Sequence, residues 1–225
     1  MDFYDLHVEI EDLKEIDEVI EISKKLGYSG IGITLKYANL NDLNELKKIK
    51  SEIDLVSCVE ISAQGVKELK RKISKARKIV DIIIVSGGDY KINRAAAEDS
   101  RVDILSHPEY KRMDSGVDHI IARAAGENNV AIEINFHEIL ETFRKIRAHV
   151  LGHMRNNIHL ALEYNAPIII TSSARNKWEL RGPRELAAIG QAIGMSLEDS
   201  MKSISDIPKG IVDENRRKLR VVSHG

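Results

Sequence analysis

Side chains able to ligate a metal or carry a proton recur where short apolar runs end. Asp5 and His7 stand two apart in residues 3–9, a spacing that sets both on one face of a strand. Glu60 lies near the end of 55–62, and His107 follows 102–106. Glu133 and Asn135 alternate in 130–136 with His137 just beyond, and Ser172, Ser173 and Arg175 close the run 167–172. Histidines and carboxylates gathered on one rim could hold a divalent metal and activate water for phosphoester hydrolysis. Two features oppose that chemistry. Asp5-x-His7 stands where such a site would carry paired histidines, and Ser173-Ala174-Arg175 sets a cation where a ligand would sit. We therefore expect no bound metal, with Asp5, His7, Glu60 and His107 as a degenerate set. His119, His149, His153 and His159 fall in helical stretches and are expected at the surface or in packing.

A second constellation is cationic. Asn93 and Arg94 lie near a helix start, Arg101 precedes residues 102–106, Arg123 lies in the following helix, and Arg175, Arg181 and Arg184 crowd 172–184. Planar guanidinium forks on one rim could dock RNA phosphates. Alternatively some pair with Glu98, Asp99, Asp103 or Glu179 as structural bridges. Trp178 is expected to pack rather than stack on a base. The formal charge of −1 hides a strong asymmetry: residues 1–30 carry nine acids against three bases, whereas 67–78 carry seven bases against Glu68. Lys209, Arg216, Arg217, Lys218 and Arg220 make the tail basic too. A solvated helix face is the plain reading of each such cluster.

The elements that position these groups follow from periodicity. Strand-like runs at 3–9, 30–35, 55–62, 80–86, 102–106, 130–136 and 167–172 recur at roughly the 25-residue period of β-α units, with one wider gap before the last. Between them lie helical patterns. In the first, Leu13, Ile16, Val19, Ile20 and Leu26 share a face opposite Glu11, Lys14, Glu18 and Glu21, and Gly27 is placed to cap its C-terminus. Such a series fits a closed barrel or an open doubly wound sheet. No G-x-G-x-x-G follows a strand, and Asp89 after Gly87-Gly88 suits a helix cap better than a phosphate cradle. The expected fold is one domain over 1–225, a TIM-like (β/α) barrel of seven to eight parallel strands with helices from about 183, at 184–193 and 196–205. Hydrophobic residues make up 43% of the chain, enough for a full core, and aromatics only 4%. A single cysteine, Cys58, excludes an internal disulfide and is expected to be buried in its strand. No apolar run approaches membrane length, and the first residues lack a secretory pattern, so a cytoplasmic protein is expected.

Several stretches, taken in order, carry a resemblance over nearly the whole chain. They are Phe3-Tyr4-Asp5-Leu6-His7-Val8, Asn93-Arg94-Ala95-Ala96, 101–108, Gly116-Val117-Asp118-His119, 131–136, 168–174 and 179–186. The chain resembles protein component 3 of archaeal ribonuclease P, a family itself similar to barrel phosphoesterases of the polymerase-and-histidinol-phosphatase type with eroded metal ligands. The resemblance implies a TIM-like barrel within the ribonucleoprotein that removes 5′ leaders from precursor tRNA. It further implies that the RNA subunit supplies catalysis with Mg2+, that the protein itself binds no cofactor, and that its partners are that RNA, component 2 and other protein subunits, with precursor tRNA met indirectly. RNA-contacting residues would fall on Lys36, Arg94, Arg101, Arg123, Arg175 and Arg181. A free-standing metal-dependent phosphoesterase on the same barrel is the alternative.

Overall fold

Runs such as Ile82-Ile83-Ile84-Val85 are β-branched and apolar on both faces, as a strand covered on both sides requires. Seven runs of this kind become strands: β1 (Tyr4–Glu9), β2 (Gly30–Lys36), β3 (Asp54–Ile61), β4 (Ile82–Ser86), β5 (Ile104–Ser106), β6 (Ala131–Asn135) and β7 (Ile168–Thr171). This computed structural model describes residues 1–10 and 13–223, without the side chains of Leu13 and of 220–223. Glu11 and the side chains of Leu13 and Arg220 thus lie outside the described residues. All seven strands pair in parallel in the order β1-β2-β3-β4-β5-β6-β7. That sequential order belongs to a barrel; a doubly wound sheet reverses at a switch point.

The ring is nearly closed. Between β7 and β1 the main chain contributes one parallel bridge, Val8 to Ala174, with Glu9 N donating to Ala174 O at 2.8 Å. The segment after β7 thus stands where an eighth strand would. Helices cover the outside: α1 (Ile16–Leu26), α2 (Leu43–Leu46), α3 (Val66–Ala76), α4 (Tyr90–Ala97), α5 (His119–Asn128), α6 (Phe136–Glu141), α7 (Arg144–Glu163) and α8 (Pro183–Ala192). The wide gap before β7 holds α6 and α7. The expected caps are present: Gly27 takes φ 94° after α1, and Asp89 accepts from Lys91 N at 2.8 Å and Ile92 N at 3.1 Å.

Two apolar layers result. The outer one lies between strands and helices. The inner one fills the barrel with Tyr4, Leu6, Val56, Cys58, Ile82, Ile84, Ile104, Ala131 and Ile169. After α9 (Leu197–Lys202), helix α10 (Asp206–Ser223) sends Ile211 and Val212 into this inner cluster and closes the floor. Polar groups seal the rim of the plug. Arg216 Nη1 donates to both Asp54 oxygens at 2.9 and 2.8 Å, and Asn215 Nδ2 donates to Asp103 Oδ1 at 2.7 Å. Among the described residues no helix is long and apolar enough to cross a membrane.

Gly32 on β2 faces this packed interior. A Cβ there would lie 2.6 Å from both Cys58 Sγ and the Leu6 carbonyl oxygen. Gly32→Ala is expected to destabilise by about 1–3 kcal/mol, the usual cost of overpacking. Urea unfolding reads it, and an unchanged midpoint would contradict the tight inner layer.

Candidate functional site: the mouth of the barrel

Above the apolar filling the interior turns polar, because inward positions near the strand ends are His7, Glu9, Glu60, Ser106, Glu133, Asn135 and Thr171. Glu133, fully buried on β6, is the hub. Its carboxylate accepts from His7 Nδ1 at 2.7 Å, Thr171 Oγ1 at 2.6 Å, Asn135 Nδ2 at 3.3 Å and the Ser106 hydroxyl. Burial alone would raise the Glu133 pKa, but the charge and hydrogen bond of His7 outweigh it and hold the carboxylate well below its usual range. For His7, burial opposes the charge, and Glu133, then Glu60 and Glu9, override it and hold the imidazole protonated at neutral pH. A buried ion pair therefore occupies the centre of the mouth.

The sequence expectation for Asp5 needs correcting. In β1, Asp5 pairs with Ile31 and Val8 with Ile33, so three steps on β1 match two on β2. This bulge adds one residue, and Asp5 does not share the inward face with His7. Its carboxylate instead accepts from Ser172 N at 3.2 Å and His7 N at 3.3 Å, stitching β1 to the segment after β7. Glu9 takes the place expected of Asp5. His7, Glu9 and Glu60 offer ligand atoms all within 4.8 Å of one another, and His7 Nε2 is buried without a hydrogen-bond partner. His-x-Glu has the same spacing as the Asp5-x-His7 pair and was equally visible in the sequence.

Whether these three fit a metal depends on charge. A protonated imidazole is no ligand, so an ion would have to displace the His7 proton first. Lys36 Nζ already stands 3.7 Å from Glu9 Oε2. Lys36 and Arg175 both line a mouth cavity of about 230 Å³ with Glu9, Glu60, His107 and Glu138. As placed, the donor set suits cationic side chains better than a divalent ion. His107 lies on the same rim, its ring centroid 6.1 Å from that of His7 and its Nδ1 3.1 Å from Glu138 Oε1.

The six cations expected to meet RNA do not form one ring. Lys36 and Arg175 stand exposed at the mouth, and Arg181 lies beyond β7 with its guanidinium over the Phe136 ring. Arg94 lies outside on α4, paired with Glu98 at 2.8 Å, and Arg123 on α5 stacks over Tyr164. Arg101 precedes β5, so it belongs to the floor end, where it is held by Asp99 at 2.6 Å and by Ser74 Oγ at 2.8 Å. The bridges anticipated with Glu98 and Asp99 thus form. Asn93 is a fastener: fully buried, its Nδ2 donates to Pro108 O and Gly116 O at 2.9 and 2.8 Å. Trp178, expected to pack, is 78% exposed. The loop it occupies folds back on itself through Asn176 and Glu179, leaving the indole no core to enter. His137 is buried with Nδ1 3.1 Å from Glu179 Oε2, while His119, His149 and His159 lie exposed on their helices.

Glu109, in the loop after β5, is buried and its Oε2 has no partner. Burial pushes its carboxyl up to about 7. A folded pKa above the unfolded value of about 4.5 means that the contribution of Glu109 to stability is fully present below pH 4.5 and is lost as pH rises through 7. Glu109→Gln should remove that contribution to the pH dependence. We expect the variant to match the wild type near pH 4 and to exceed it at pH 8 by on the order of 2–3 kcal/mol. Parallel denaturant titrations at the two pH values check this; equal stabilities at pH 8 would refute the burial argument.

Comparison with known proteins accords with this architecture. The family model described as RNase P subunit p30 matches residues 2–220. A ribonuclease P protein component 3 from Methanococcoides burtonii is 35% identical, over 99% of this chain and 92% of its own. A chain in a cryo-EM structure of archaeal ribonuclease P with mature tRNA superposes with TM-score 0.76 at 34% identity, covering 95% of this chain and 92% of that one. A histidinol phosphate phosphatase from Lactococcus lactis shares the fold alone, with TM-score 0.53 at 13% identity over 86% of this chain and 94% of its own. On the family match and the 35% identical relative, this chain belongs to the RNase P subunit p30 family.

Proposed function

We propose that this chain serves ribonuclease P as a binding subunit and not as its catalyst. In this reading it supports the catalytic RNA together with the second protein, component 2, in the cytoplasm. Mg2+ is held by the RNA, and precursor tRNA is met through that RNA. The observation that carries the reading is the state of the mouth. Its two histidines are tied to carboxylates, His7 to Glu133 and His107 to Glu138, while Lys36 and Arg175 remain exposed above them. A site arranged this way offers positive charge and no free imidazole base.

RNA contacts are assigned to Lys36, Arg175 and Arg181 at the mouth and to Arg94, Arg101 and Arg123 on the flank and floor. The ion pairs of Arg94 and Arg101 do not oppose this. Exposed pairs of that kind contribute about 0.2–1 kcal/mol, so a phosphate can exchange for the carboxylate. In reconstituted ribonuclease P, Arg94→Ala/Arg101→Ala and, separately, Lys36→Ala/Arg175→Ala are expected to slow precursor tRNA cleavage and weaken RNA binding. The slope of log K against log salt should fall by roughly 0.7–0.9 per lost phosphate contact. Undiminished cleavage and slope in both variants would remove these residues from the interface.

The alternative, a metal-dependent phosphoesterase, is favoured by one observation, the nearness of His7, Glu9 and Glu60. Elemental analysis of chain purified without chelator separates the two. We expect well under one equivalent of zinc or manganese, and a stoichiometric ion accompanied by hydrolysis of simple phosphate esters would reverse the assignment.

A further inference from the structure

Helix α7 begins in the open. Every residue from 143 to 149 is exposed, and only from Val150 onward does the helix settle on the barrel through Met154, Asn157, Ile158 and Ala161. Its entry is abrupt: Phe143 is extended and Arg144 takes φ 52°, a left-handed conformation unusual for a residue with a side chain. One or two turns of helix without tertiary contact are marginal in water. The overhang also presents Phe143 at 64% and Ile146 at 59% exposure.

Its charge is one-sided. Along α7 stand Arg144, Lys145, Arg147 and Arg155 with three histidines, against the single acid Glu163. Among the described residues none of the four cations has an acidic partner; Arg147 donates Nε only to the Thr142 carbonyl, at 2.7 Å. The contrast with Arg94, Arg101 and Arg77, each held by a carboxylate, is clear. Arg144 and Arg155 are three turns apart on one side of the helix, with Ala148 and Gly152 between them, and a Cβ added at Gly152 would meet nothing within 4 Å. A strand of linked phosphates can therefore approach the helix closely between cations.

We infer that the start of α7 is a second RNA-docking surface, apart from the mouth: Arg144, Lys145, Arg147 and Arg155 take backbone phosphates and Phe143 stacks on an unpaired base. Unopposed positive charge selects a polyanion, and an exposed aromatic among cations is how single-stranded RNA is held. The inference rests on the binding-subunit reading above.

The assembled ribonucleoprotein tests it. Arg144→Gln/Lys145→Gln/Arg155→Gln is expected to weaken RNA binding at least about tenfold at low salt and to lower the salt slope by about 2. Phe143→Ala should weaken it by roughly fivefold or more with the slope unchanged. Because Cys58 is buried, Ala148→Cys provides a unique labelling position. Iron-EDTA tethered there should cleave the RNA locally, a readout that does not depend on the stability of the charge variants. Wild-type affinity, wild-type slope and no local cleavage, with Lys36→Ala/Arg175→Ala still impaired, would overturn this surface alone. Failure of the unmodified assembly to protect any RNA would remove the binding-subunit reading with it. Loss of component 2 at unchanged RNA affinity and slope would make the face a protein interface and sink the inference.

Discussion

One buried carboxylate holds the mouth together. Glu133 receives groups from four of the seven strands, β1, β5, β6 and β7, across the seam where the main chain is weakest: among the described residues the one bridge there joins Val8 to Ala174, just after β7. Side chains inside the ring thus complete what an absent eighth strand would supply. The arrangement is stable only as a whole. A buried charge that keeps its partner is tolerated, and one that loses it costs about 3–5 kcal/mol. That constraint fixes which neighbours can be polar and why each of them points inward.

The same constraint separates structure from chemistry. A histidine locked to a carboxylate as an ion pair neither abstracts a proton nor enters a coordination sphere without first breaking the pair. Below it the barrel is apolar to the floor, where α10 supplies Ile211 and Val212 and its Arg216 and Asn215 bind the strand starts through Asp54 and Asp103. The interior is thus closed at both ends, by a polar knot above and by a helix below. The charge left exposed lies on the rim and the outer helices, at Lys36, Arg175 and the start of α7.

Much of the fold was legible because strand runs are short, β-branched and evenly spaced, and sequential order follows once the barrel is chosen. Two things were not. A bulge changes which side chains share a face by inserting one residue, and period-two reasoning cannot see it, so the spacing sets Asp5 on the face of His7 where the structure sets Glu9. Helix α10 shows an ordinary amphipathic pattern, and nothing in that pattern says its apolar stripe faces the inside of a barrel instead of its flank. Trp178 illustrates a related limit: hydrophobicity predicts burial only where the backbone brings the side chain to a core.

Charge was legible in amount and not in availability. The densest cluster in the sequence, 67–78, is partly consumed by its surroundings: Lys72 pairs with Glu68 at 2.8 Å and lies over the Tyr37 ring, and Arg77 is drawn into Asp103 at 2.6 Å. Helix α7 has fewer cations, interspersed with histidine and apolar residues, yet none of its Arg and Lys side chains has an acidic partner among the described residues. For a polyanion the second kind of surface is the better one. Binding there breaks no existing ion pair, whereas each phosphate taken by a paired guanidinium must first displace a carboxylate. The physical quantity that marks a nucleic-acid surface is therefore the charge left unopposed after folding, and only the three-dimensional arrangement reveals it.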